Sequence, residues 1–97
     1  MKLLSIKPST NKDKKLMATF DNGRTIHFGA SGYKDFTIYY KQDPKVAKQK
    51  KDSYLARHRV NEDWNDVMSA GALSRWILWN KTTIEASVKD FKNRFNL

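Results

Sequence analysis

Apolar and polar positions change period partway along the chain. Lys2–Lys7 alternates as a first strand, with Leu4 and Ile6 expected on one face, and the polar run Pro8–Asp13 ends it. Lys15–Asp21 and Arg24–Phe28 alternate again and are separated only by Asn22-Gly23. That dipeptide predicts a two-residue type I′ hairpin, because both central residues of such a turn need positive φ. The register follows: Asp21 opposite Arg24 as a cross-strand ion pair, and Met17 opposite Phe28, with Met17, Ile26 and Phe28 sharing a face. Gly29 and Gly32 then punctuate the exit from the sheet as a turn. A phosphate-cradling loop would instead open directly onto a helix.

Beyond the sheet the period becomes helical. Asp35–Tyr40 reads as a short helix capped by Asp35, and Asp43-Pro44 starts a longer one reaching Arg59, with a cap residue followed by a first-turn proline. On that helix Val46, Ala47, Tyr54, Leu55 and His58 fall on one broad side. Lys45, Lys48 and Arg59 gather on the other, Lys50 and Arg57 lie at an edge, and Lys51 lies within the apolar side. Asn61–Ser69 is an acidic connection with Trp64 as anchor. Ala72–Trp79 is apolar nearly all round, as expected at a core centre or a subunit interface. Thr82-x-x-Glu85 is a capping-box pattern, and Ile84, Val88, Phe91 and Phe95 form the stripe of a last helix. The expected fold is α+β: one domain over residues 1–97, a small N-terminal antiparallel sheet of about three strands, then about three α-helices.

Charge adds the functional signal. The net charge is +9, and residues 1–60 carry all of it, with fourteen Lys/Arg against five Asp, while residues 61–97 balance five against five. A directed positive field attracts polyanions. Lys45, Lys48, Lys50, Lys51, Arg57 and Arg59, helped by Lys12, Lys14 and Lys15, are therefore the expected phosphate contacts. Their mostly Lys character suits sequence-neutral binding better than base readout, for which Arg, Asn or Gln would be expected. Tyr39 and Tyr40, beside Lys41, are candidate stacking platforms for single-stranded bases.

No reaction is indicated. There is no Cys, no Gly-x-Ser-x-Gly and no Walker-type loop, and the only two histidines, His27 and His58, offer no metal-ligand spacing. No catalytic residue, metal or cofactor is therefore expected. Arg75 either pairs with Glu62, Asp63 or Asp66 or faces a phosphate or partner. The run Trp76–Trp79 is far too short to span a membrane, and the amino terminus lacks the apolar stretch of a secretory signal.

Several segments look familiar together: Lys2–Pro8, Phe28–Thr37 with its Phe-Gly-Ala-Ser-Gly-Tyr-Lys-Asp core, Tyr54–His58, Ala70–Trp79 and Phe91–Leu97. They resemble a family of short proteins of unknown function encoded by giant DNA viruses, the marseillevirus group among them. The resemblance implies a viral protein in the virion or in a cytoplasmic viral factory, not secreted. It marks Gly32, Arg57, His58, Arg75 and Arg94 as positions of interest, and it carries no chemistry. Two functions are expected from these observations. The first is sequence-nonspecific, salt-dependent binding of nucleic acid, DNA foremost, in genome packaging or the factory. The alternative is a non-enzymatic homodimeric virion protein that meets acidic protein partners and pairs through Leu73, Trp76 and Trp79.

Overall fold

The computed structural model describes residues 1–97, in the α+β arrangement expected. Strands β1 (Leu3–Pro8), β2 (Lys14–Phe20) and β3 (Thr25–Ala30) form an antiparallel sheet in that order. Four helices follow, against about three expected. They are α1 (Phe36–Gln42), α2 (Pro44–His58), α3 (Ala70–Leu73), which runs on into a π-helical turn over Ser74–Leu78, and α4 (Ile84–Phe95).

The hairpin differs from the expected one. Thr19 faces Thr25, Ala18 faces Ile26, Met17 faces His27 and Leu16 faces Phe28, one residue away from the two-residue-turn register. Gly23 has φ +86° while Asn22 is not in the left-handed region, so the turn is not type I′. The Gly23 N–H donates to the Phe20 carbonyl, and the Phe20 N–H to that of Arg24. A three-residue loop with its glycine in the left-handed region is the other common hairpin closure. A one-residue slip turns every side chain over. Leu16, Ala18 and Phe20 thereby join Ile26 and Phe28 on the core face, Met17 moves to the opposite face, and Asp21 and Arg24 form no ion pair.

A bulge in β1 between Leu3 and Ser5 corrects a second expectation. It brings Leu3 and Ile6 onto the core face together and leaves Leu4 62% exposed. The core face packs on α3, the π turn and α4, where Leu73, Ile77, Leu78 and Phe91 are buried. Leu73 was expected at a subunit interface, but it has no exposed surface. The sheet and α4 of the same chain enclose the apolar helix, while Trp76 and Trp79 are half-buried.

The α4 stripe Ile84, Val88, Phe91 and Phe95 packs on this core as expected. Its cap is Thr83 rather than Thr82. Thr83 Oγ1 accepts from the Ala86 N–H, so Ala86 stands where a capping box needs Glu or Gln. Buried Asn80 donates through Nδ2 to Asp90 at 2.7 Å. That bond, with Arg94 alongside, holds the Asp90 carboxyl below the usual carboxylate range. A depressed folded-state pKa stabilises the fold only while the group is ionised. The contribution is therefore complete at neutral pH and is lost as pH falls below about 4. Asp90→Asn should lower the melting temperature at pH 7, and the difference from the parent should shrink as pH falls below about 4, as circular dichroism melts across a pH series would read.

Candidate functional site

Several segments converge on one cleft of about 590 Å³, with Tyr39 of α1 and Glu62 of the connection after α2 also lining it. Its walls are the β2 start with Lys14 and Lys15, the β3 exit with Gly29 and Ala30, the turn Tyr33–Asp35, one face of α2, and the α3 region from Ala70 to Trp79. Gly29 makes the close approach possible. Its φ is +78°, and a Cβ there would lie 2.6 Å from Leu78 Cδ1, so only hydrogen fits between the strand exit and the π turn.

Asp35 fixes the turn to the sheet. Its Oδ1 accepts from the Thr37 and Ile38 N–H groups and from the Thr37 hydroxyl, capping α1. Its Oδ2 takes the Lys15 ammonium at 2.9 Å, both side chains being largely buried. Asp35→Ala removes cap and ion pair together and should cost about 2 kcal/mol in chemical denaturation, of which Asp35→Asn, still a good cap, should recover about half.

Helix α2 turns Lys50, Ser53, Tyr54, Arg57 and His58 into the cleft, residues three to four apart and so on one face. Tyr54 is buried, stacked on Trp79 (4.5 Å, 8°) on one side and on His58 (4.1 Å, 21°) on the other. Burial, with Glu62 second, pushes its hydroxyl pKa well up, so it stays a neutral phenol. Tyr39 leans on Trp79 at 6.3 Å, and the Lys34 and Lys50 ammonium groups each lie 5.8 Å from the Tyr39 ring centroid. Tyr33, at the mouth, is 74% exposed.

Only two carboxylates line the cleft, and both are engaged. Asp35 holds Lys15. Glu62 accepts from Trp64 Nε1 at 3.0 Å and lies 3.0 Å from His58 Nδ1. Gly71 leaves room for that carboxylate, since a Cβ there would sit 2.8 Å from Glu62 Cδ. Lys14, Lys34, Lys50 and Arg57 line the same cleft with no carboxylate partner. The site is thus an aromatic floor under a cationic rim. It suits an anion that also carries a flat apolar face, and no group of three or more His, Asp or Glu is placed to hold a metal ion.

The expected phosphate contacts divide. Lys14, Lys15, Lys50 and Arg57 come together here, with Lys15 neutralised by Asp35. Lys12, Lys45, Lys48 and Arg59 are exposed but lie outside the cleft. Lys51 is a correction. Its ammonium donates to the Asn80 carbonyl at 2.9 Å and lies 4.9 Å from the Phe36 ring, and burial lowers its pKa, so it ties α2 to the loop before α4. Of the two candidate stacking tyrosines, Tyr39 reaches the cleft, while Tyr40 packs on Phe36 instead.

Lys34 and Tyr33 were not singled out by sequence as binding residues. The signal was present, because both sit between the positive-φ Gly32 and the capping Asp35, where a tight turn presents side chains outward. Arg75 pairs with none of Glu62, Asp63 and Asp66. Its guanidinium stacks on Trp76 (4.2 Å) and faces Trp64 (5.3 Å), with Nη1 donating to the Trp79 carbonyl, and Arg94 covers the Trp76 ring at 4.2 Å as well.

No helix is long and apolar enough to cross a membrane. No curated protein and no solved structure matches the chain. A family model does match, over residues 4–58, the stretch that carries the sheet, α1, α2 and the cationic rim of the cleft. The chain therefore belongs to the family of unknown function DUF5754.

Proposed function

We propose that the protein binds nucleic acid without sequence preference, DNA foremost, and that it does so through the cleft rather than through the outer side of α2. One observation carries this reading: four cations from three separate segments line an aromatic floor with no carboxylate left to neutralise them. Phosphates are held by such cations, and bases by such rings. The setting follows from the resemblance to giant-virus proteins and is an accessory role in the particle or the cytoplasmic factory. No reaction is assigned to the site.

Salt dependence tests the reading. If Lys14, Lys34, Lys50 and Arg57 each displace one counterion, the slope of log affinity against log salt on a single strand should be about −3. Affinity should then fall about 50-fold between about 50 and 200 mM salt. A fluorescence-anisotropy series with a labelled oligothymidylate measures it. A flat response, or no binding at the lowest salt, would exclude the reading.

A further inference from the structure

We infer that the cleft accepts an unpaired nucleotide, its base against Tyr33 and Tyr39 and its phosphate among Lys14, Lys34, Lys50 and Arg57. This rests on the nucleic-acid reading above and narrows it to unstacked bases. The rings decide the point. Tyr54 has both faces covered, by Trp79 and by His58, so it can support a ligand only as part of the floor. Tyr39 is half-buried and carries the exposed, flexible Lys34 and Lys50 side chains over its ring, each ammonium 5.8 Å from the centroid. A base stacks there as those ammonium groups move to its phosphate, while Tyr33 is largely open to solvent at the rim.

A base seated there would have an aromatic face beneath it and cations beside it. Within a duplex the faces of the bases are hidden in the stack and only edges and phosphates are offered, so the aromatic part of the site would go unused. An unpaired base offers its face, and stacking tolerates any base because each has one. The volume of about 590 Å³ lies within the ~300–1,000 Å³ of pockets that enclose small ligands. Of the two cleft carboxylates, Asp35 is paired with Lys15, and the charge of Glu62 is outweighed by the four cations Lys14, Lys34, Lys50 and Arg57.

Two sources share this chemistry, a free mononucleotide and a nucleotide within a single strand, and binding measurements on the full chain separate them. Oligothymidylate is expected to bind at least about tenfold tighter than a duplex of equal length at the same salt. Tyr33→Ala and Tyr39→Ala should each weaken the single strand roughly 5- to 100-fold, the range seen for one base–ring contact, and leave the duplex unchanged. Tyr33→Phe and Tyr39→Phe, which keep the ring, should restore binding. Thymidine monophosphate should displace the strand at lower concentration than abasic deoxyribose phosphate. Comparable direct affinities for mononucleotide and strand would name the free nucleotide as sufficient, and a much tighter strand would name the polymer.

Equal binding of single strand and duplex with silent tyrosine variants would overturn this inference and leave nucleic-acid binding standing. Equal displacement by the mononucleotide and the abasic phosphate would overturn it too, reducing the cleft to an anion site. Absence of binding to every probe at low salt would overturn both.

Discussion

Replacing Lys34, Lys50 and Arg57 together by Gln should lower affinity for oligothymidylate by about two orders of magnitude at 50 mM salt and flatten the salt slope from about −3 to about −1. Each cation that meets a phosphate releases counterions on binding, and removing three of four removes most of that release. The control is a second triple variant, Lys45→Gln, Lys48→Gln and Arg59→Gln, on the outer side of α2. Both variants remove three positive charges from a chain of net charge +9, so long-range steering falls alike in the two. Only the first set lines the cleft. A large loss in the first and a small one in the second would locate binding in the cleft. Equal losses would return it to a diffuse basic surface. None of the six side chains is buried, so both variants should fold, with nearly unchanged melting temperatures.

Gly29→Ala should be the most damaging single-methyl substitution in the cleft wall. Two costs add at this residue. A left-handed backbone at φ +78° costs an L-residue about 1–2 kcal/mol, and a Cβ placed 2.6 Å from Leu78 Cδ1 forces buried side chains off their packed positions for about 1–3 kcal/mol more. A total of about 2–5 kcal/mol corresponds to a fall of roughly 10–40 °C in melting temperature for a domain of this size. The contact and the backbone strain can be separated. In a Leu78→Ala background the clash is gone and only the strain remains, so the two substitutions together should cost less than the sum of their separate effects. Strict additivity in that cycle would mean that the methyl group and Leu78 do not meet. Affinity for nucleic acid should fall along with stability, because Gly29 sets the distance between the β3 exit and the π turn.

The elements most legible in the sequence were those whose cause is local. Asp35 and Asp43-Pro44 start α1 and α2 where expected, because a cap acts on amides two or three residues away. The α4 stripe was legible because one period of apolar residues suffices to orient a helix. The hairpin register was not, although its turn dipeptide was. Asn-Gly serves both a two-residue and a three-residue closure, and the choice was made by burial of Leu16, Ala18 and Phe20 against Ile77, Leu78 and Phe91, far along the chain. The same distance hid the cleft. Charge counting found Lys14, Lys50 and Arg57 without their common surface. It grouped them with Lys51, which is turned inward to Asn80, and with Lys45, Lys48 and Arg59, which face away. The all-round apolar helix pointed to a core centre or a subunit interface, and no local pattern reveals that a three-stranded sheet and α4 enclose Leu73, Ile77 and Leu78.

The proposed seat of nucleic acid is the aromatic floor between Lys14, Lys34, Lys50 and Arg57. Backbone amide shifts in an isotope-labelled sample, followed as oligothymidylate is added, test it most directly. Binding in the cleft should give the largest changes at Lys14, Tyr33, Lys34, Lys50 and Arg57, with Lys45, Lys48 and Arg59 nearly still. Changes concentrated on those last three, or spread evenly over all exposed lysines, would contradict it.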